Sequence, residues 1–263
     1  MIGEKIQIQN LHVGVGDKEI LQGVNLTFEL GKNYCLLGKN GSGKSTLSSV
    51  LMGSPEYEVR GGSIEVYNPS QPSFPTKGRG DTVIDIVSLS PEERSQYGIF
   101  LSFQHVPEIL GIKLSEYLRT IYNIHLKQTQ PEVRELSPFI FKRFIVPYLE
   151  ELHIDPVFLD RDLNVGFSGG EKRKIEILQM KLIGPKYIIL DEIDSGLDID
   201  AFKRVAELLK SINSESNSII IITHYFTILE YVEVDEVYVL EKGKVVEHGG
   251  KEVIEKVKEG GYR

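Results

Sequence analysis

Gly38-Lys39-Asn40-Gly41-Ser42-Gly43-Lys44-Ser45 lies between an apolar run and a helical one. This GxxxxGK[ST] pattern in a strand-to-helix context is a phosphate cradle. Its glycines let backbone N–H groups curl around phosphate oxygens, and a helix opening at Lys44 turns its positive end toward them. Lys44 is expected to reach the β- and γ-phosphates of ATP, Ser45 to place its hydroxyl on Mg²⁺, and Thr46 to belong to the same cradle. Downstream, Ile188-Ile-Leu-Asp191-Glu192 is an apolar strand ending in two acids. Such a pair by itself reads equally well as a solvated turn. Behind a phosphate cradle, Asp191 is the expected acidic partner of the Mg²⁺ shell, and Glu192 is placed to polarise an attacking water.

Ser168-Gly169-Gly170-Glu171 also opens a helix. A hydroxyl beside two flexible glycines makes a second phosphate-binding helix start as well as an N-cap. One chain needs one such cradle for its γ-phosphate. The second is useful if it covers the nucleotide of another copy, so the pattern predicts pairing of subunits around ATP. His224 follows a strand at 218–223, placing it at the sheet edge that carries Asp191, where open α/β sheets bind ligands. There it is expected to contact the γ-phosphate. Gln104 ends another strand and is expected to link water or Mg²⁺ to the helical block that follows. His12, His125, His153 and His248 read as surface or packing residues, and His105 is left open beside Gln104.

The elements that must position these residues follow from periodicity. Alternation at Lys5–Leu11 and Leu26–Leu30 reads as strands, and the nearly all-apolar 33–37 as a central strand covered on both faces. Lys44–Met52 reads as a helix stopped by Gly53-Ser-Pro55, and Ser63–Tyr67 as a strand. Pro69 to Gly80 reads as an exposed loop. Ser90-Pro91-Glu-Glu starts a helix, and 98–103 is a short strand. Residues 107–165 are expected to be mostly helical, with Leu114, Leu118, Ile121 and Tyr122 on one face and Pro147 bending or restarting a helix. A helix at 171–183 stops at Gly184-Pro185. Strands at 187–191, 218–223 and 235–240 alternate with helices near 200–212 and 225–231, which implies a parallel α/β sheet.

The 263 residues suffice for a full core, and the composition (41% hydrophobic, 26% charged) is that of a soluble globular chain. The net charge of -8 and the absence of a basic track argue against nucleic acid as a partner. No apolar run reaches the roughly 18 residues a membrane helix needs, and no signal peptide opens the chain, so a cytoplasmic protein without direct membrane insertion is expected. Cys35 is the single cysteine. It excludes an internal disulfide and a Cys-only metal site, and it reads as a small buried residue of a core strand.

Together these motifs resemble the ATP-binding cassette (ABC) superfamily across nearly the whole chain. The likeness is closer to the SufC family, cytosolic ABC ATPases of Suf-type iron–sulfur cluster assembly. It is carried by Asn164–Met180, Leu190–Ala201, Ile222–Tyr225, Ser102-Phe-Gln-His105 and the ending Lys-Glu-Gly-Gly-Tyr262. Ile193-Asp194 stands where many ABC importers have Pro-Thr, which favours SufC over the runner-up, the nucleotide-binding subunit of a membrane transporter. A DNA-repair or chromosome-structure ATPase would need a coiled-coil insertion longer than 107–165.

The resemblance implies an α/β ABC ATPase fold: a P-loop (RecA-like) core with a mainly parallel sheet, an N-terminal antiparallel β subdomain and an inserted helical subdomain. It implies a single domain over 1–263, with 1–106 and 166–263 forming the core and 107–165 the insertion. By motif position, Lys44, Ser45, Gln104, Asp191, Glu192 and His224 would serve one nucleotide in cis. Ser168, Gly170 and Asp198 would complete the partner's site in trans, giving an ATP-dependent homodimer. Gln104 joins Ser45 and Asp191 as an expected Mg²⁺ contact. A SufB- or SufD-type scaffold is the implied partner, and one cysteine agrees independently, because this chain cannot hold a cluster. Two departures stand out: Val15 falls where many ABC proteins stack an aromatic on adenine, and 69–80 is longer than the usual connection.

Overall fold

The computed structural model describes residues 4–67, 83–193, 195, 197–223 and 226–261. The expected loop at 69–80 and His224 lie outside the described residues. In chain order the elements are β1 (Lys5–Val15), β2 (Lys18–Glu29), β3 (Tyr34–Leu37), α1 (Lys44–Leu51), β4 (Glu58–Tyr67), β5 (Val83–Asp85), α2 (Pro91–Gln96) and β6 (Ile99–Ser102). Next come β7 (Ile109–Lys113), α3 (Leu114–Thr129), α4 (Pro138–Phe144), α5 (Val146–Glu151), a 3₁₀ turn (Pro156–Asp160), β8 (Asp162–Leu163) and α6 (Gly169–Ile183). Then follow β9 (Tyr187–Asp191), α7 (Ile199–Ile212), β10 (Ser218–Ile222), a second 3₁₀ turn (Thr227–Glu230), β11 (Glu236–Glu241), β12 (Lys244–Gly249) and α8 (Lys251–Gly260).

Two compact units result. The first comprises Met1–Leu101, Lys186–Glu192 and Asn213–Arg263. It contains an antiparallel sheet ordered β2-β1-β4-β5 and a six-stranded sheet ordered β12-β11-β3-β10-β9-β6. In the larger sheet β11, β3, β10 and β9 run parallel. Their apolar runs are buried without alternation, as Tyr34–Leu37 and Ser218–Ile222 show, because both faces are covered. Ile6 and Ile8 of β1 alternate inward and join Leu36, Leu47, Ile189 and Ile220 in one core. Cys35 is buried within β3, and burial pushes its thiol up to about 12, so it is an inert packing residue.

The second unit comprises Ser102–Pro185 and Ile193–Ile212. Leu114 and Leu118 of α3 are fully buried, while Ile121 and Tyr122 lie at the edge of the same face. Pro147 restarts the helix: α4 ends at Phe144, and α5 takes Pro147 into its first turn. Gly184, in the left-handed conformation, ends α6.

Several features differ from the sequence expectation; among them, β4 begins at Glu58 rather than Ser63, and the strand β5 was not expected. β1 and β2 are longer, since each finds a full antiparallel partner from Lys5↔Glu29 to Val15↔Lys18. Residues 109–113 form a strand rather than helix, because Ile109 pairs with Leu163 of β8. Of the helix expected near 225–231, the described residues from 226 on give a single 3₁₀ turn anchored by buried Ile228, since the chain re-enters the sheet at Glu236. β12 and α8 extend the fold beyond the last expected strand.

Candidate active site

The cradle hangs between β3 and α1. Gly38, Gly41 and Gly43 have φ of 155°, 78° and 108°, a region that favours glycine. At Gly38 there is also no room for a side chain, since a Cβ would fall 2.3 Å from the Leu240 carbonyl and 2.6 Å from Ser42 Oγ. The turn is closed by Ser42 N–H donating to Lys39 O (3.1 Å) and by Gly243 N–H donating to Ser42 O (2.9 Å). Asn40 and Gly41 at its tip are exposed, as is Lys39, while Thr46 is buried in the first turn of α1. Lys44 Nζ folds back over the loop and donates to Gly38 O (2.8 Å) and Lys39 O (3.1 Å).

Parallel pairing sets the acids. β9 registers Asp191 against Ile222 of β10, which brings the carboxylate to α1. There Ser45 Oγ donates to Asp191 Oδ1 (3.2 Å) and Ser48 Oγ to Asp191 Oδ2 (2.8 Å). Burial pushes the Asp191 carboxyl up against the lowering effect of both hydroxyls. Burial likewise pushes the Lys44 ammonium down, and Glu192 and Asp191 draw it back. Glu192 follows in the left-handed region, with φ 48°, and its N–H donates to Ile222 O (2.9 Å). A non-glycine residue held there costs about 1–3 kcal/mol and is typical of functional positions.

These residues fit a nucleotide phosphate with a divalent cation. Ser42 Oγ is fully enclosed in the cradle and has no protein partner, so a loop polar group is left for a ligand. The Ser45 hydroxyl and Asp191 carboxylate are hard oxygen donors suited to Mg²⁺. Among the described residues no three His, Cys, Asp or Glu cluster around a metal position. A cation here would therefore complete its shell with phosphate and water oxygens.

Ser168 caps α6. Its hydroxyl accepts from Glu171 N–H (3.3 Å) and its own N–H donates to Glu171 Oε2 (2.7 Å), a reciprocal capping box. Asp198 caps α7 by accepting from Ala201 N–H (2.7 Å). Ser168, Gly170 and Asp198 come together around a cavity of about 430 Å³, whose charged lining balances Lys174 and Arg204 against Glu171 and Asp198. Burial, then Arg204, pushes the Lys174 ammonium down. Gln104 is exposed two residues beyond β6, beside exposed His105.

Sequence reasoning missed Ser48, Arg204 and the support from Leu240 and Gly243. Ser48 was findable: it stands three residues after Ser45, on the same helix face. Gly243 and Leu240 reach the cradle through the sheet and carry no local signal.

Three comparisons bear on identity. The family model for ABC transporters matches residues 21–195. The probable ATP-dependent transporter ycf16 of Antithamnion sp. is 41% identical over 98% of this chain and 96% of its own. The iron-sulfur cluster assembly protein SufC of Plasmodium berghei (strain Anka) is 39% identical over 98% of this chain and 66% of its own. In fold, the dimeric post-hydrolysis ATP-binding cassette MJ0796 bound to ADP and Pi superposes with a TM-score of 0.70 at 19% identity, covering 93% of this chain and 98% of that one. The chain therefore belongs to the ABC transporter family, as an ATP-binding and ATP-hydrolysing cassette with SufC proteins among its relatives.

Proposed function

We propose that this ATPase drives iron–sulfur cluster assembly in the cytoplasm, working on a SufB- or SufD-type scaffold. The observation that carries the reading is similarity over 98% of the chain to a protein named for that assembly. Two features support it. The single cysteine is buried and inert, so cluster ligands must come from a partner. In the second unit, Leu110 and Phe139 are 77% and 71% exposed, with Ile124, Ile140 and Val157 also at the surface. We read these exposed side chains as part of the face that a scaffold would cover, since a docking face needs apolar side chains left at the surface. The chain is read as one ABC domain over 1–263, with 107–165 as the scaffold-binding insertion.

In this reading residues 38–46 wrap the phosphates of ATP, and Lys44 leaves its loop carbonyls for the β- and γ-phosphates. Ser45, Asp191 and Gln104 would hold Mg²⁺, whose charge offsets that building on the phosphate oxygens. Glu192 accepts the proton of a water whose oxygen bonds to Pγ as the Pγ–O bond to the β-phosphate breaks. His224 contacts the γ-phosphate. Ser168, Gly170 and Asp198 of a second copy close the site, so ATP binding draws two copies together and moves the scaffold subunits they carry.

A second reading, transport, is favoured by the name of the Antithamnion relative. Among the described residues no helix is long and apolar enough to cross a membrane, so a transporter would need a separate permease. Capturing tagged Glu192→Gln protein with Mg²⁺ and ATP from the native host, then identifying partners by mass spectrometry, separates the two. A cysteine-bearing soluble scaffold supports cluster assembly, and a polytopic membrane protein overturns it.

A further inference from the structure

Arg173 stands five residues after Ser168 in α6 and is almost fully buried, as is Glu176 one turn on. By spacing they are an ordinary helix pair at i and i+3. They do pair, and Arg173 reaches further as well. Arg173 Nη1 donates to Glu176 Oε2 (2.6 Å), Ser102 Oγ (3.0 Å) and Phe103 O (2.8 Å), and Nη2 donates to Gln104 O (3.2 Å). Ser102 Oγ in turn donates to Glu176 Oε2 (3.0 Å). The planar guanidinium thus holds two consecutive carbonyls of the segment that presents Gln104, a fork that an ammonium could not reproduce. Two further ties reach that segment from either side of Ser168. Asn164 Nδ2 donates to Pro107 O (2.9 Å), and Lys172 Nζ pairs with Glu108 Oε1 (2.7 Å).

We infer that Arg173 is a positioning residue that fixes the Gln104 backbone to the start of α6, so that Gln104 and Ser168 move as one body. Resting on the proposed nucleotide roles of Gln104 and Ser168, this makes Arg173 the link between a residue serving a chain's own nucleotide and one serving its partner's. Packed side chains joined by several hydrogen bonds carry a displacement from one end to the other.

The test is a double-mutant cycle in the full-length protein, with kcat and KM for ATP measured beside the affinity for a fluorescent ATP analogue. Arg173→Gln is expected to lower kcat on the order of 10-fold while analogue affinity stays within about twofold, since orientation is lost and the cradle is intact. Added to Gln104→Ala, it should cost less than about a further twofold, because both changes disable one unit. Losses that multiply across the cycle overturn the inference and leave Arg173 merely structural. If Gln104→Ala alone leaves kcat unchanged, the role given to Gln104 falls, and the inference with it. Should Arg173→Gln not fold, Asn164→Gly replaces it. That change deletes the donor to Pro107, suits the left-handed backbone of Asn164 (φ 61°), strands no buried charge, and is judged by the same two outcomes.

Discussion

Gly38→Ala tests the cradle at its tightest point. The new Cβ would lie 2.3 Å from the Leu240 carbonyl oxygen and 2.6 Å from Ser42 Oγ. Leu240 belongs to β11, held between β3 and β12, so the carbonyl cannot retreat and the loop must yield by about 1 Å. The φ of 155° adds about 1–3 kcal/mol of backbone strain. A displacement of that size in a positioning element costs on the order of 100-fold in kcat/KM. Gly41→Ala is the internal control. It has φ of 78° and nothing within 4 Å of a Cβ, so only about 1–2 kcal/mol of left-handed strain applies and the loss should be about 10-fold. Steady-state ATP hydrolysis and titration with a fluorescent analogue read both variants. Ser42→Gly should not rescue Gly38→Ala, because the Leu240 clash remains. If Gly38→Ala stays within about threefold of wild type, or loses no more than Gly41→Ala, the cradle is not held as described.

Other expectations follow from the same geometry. Lys44→Ala should abolish tight ATP binding, whereas Glu192→Gln should bind ATP normally and turn over at least about 100-fold more slowly, because only water activation is lost; equal loss of affinity in both, by analogue titration, would contradict the roles. Arg94 is buried and donates to the carbonyls of Val50, Leu51, Val87 and Leu89, capping α1 at its C-terminal end. Arg94→Met should therefore cost about 3 kcal/mol and lower Tm by about 6–12 °C in calorimetry. Burial raises the Asp191 carboxyl, so the folded apo protein holds that proton more tightly than the unfolded chain. Stability from this group falls as pH rises above about 4. The apo Asp191→Asn protein should gain Tm over wild type as pH increases through that range, while losing ATPase activity; a pH-independent difference would refute the buried-charge account.

How much of this was readable beforehand depended on distance along the chain. The cradle, the β9 acids and the Ser168 cap are contiguous, and each stands at a strand or helix end that local periodicity marks, so type and place could be read together. Ser90-Pro91 likewise gave a true capping box at α2. Contacts assembled by sheet register carried no such signal. Leu240 and Gly243 reach the cradle across strands, and the spacing of Arg173 and Glu176 does not show that Ser102 and Phe103 cover them. Residues 109–113 looked helical because their partner, β8, is a two-residue strand some fifty residues away. Asp198 was carried by resemblance, and its capping bond to Ala201 now gives it a local reason.

The central claim is that ATP joins two copies of this chain, each supplying Ser168, Gly170 and Asp198 to the other. Its most direct test is light scattering of Glu192→Gln with Mg²⁺ and ATP, alone and with the captured partner, beside the same protein carrying Ser168→Arg. The account predicts an ATP-dependent species containing two 29.7 kDa chains, lost on the Ser168 change. A single copy under every condition, partner present, would contradict it.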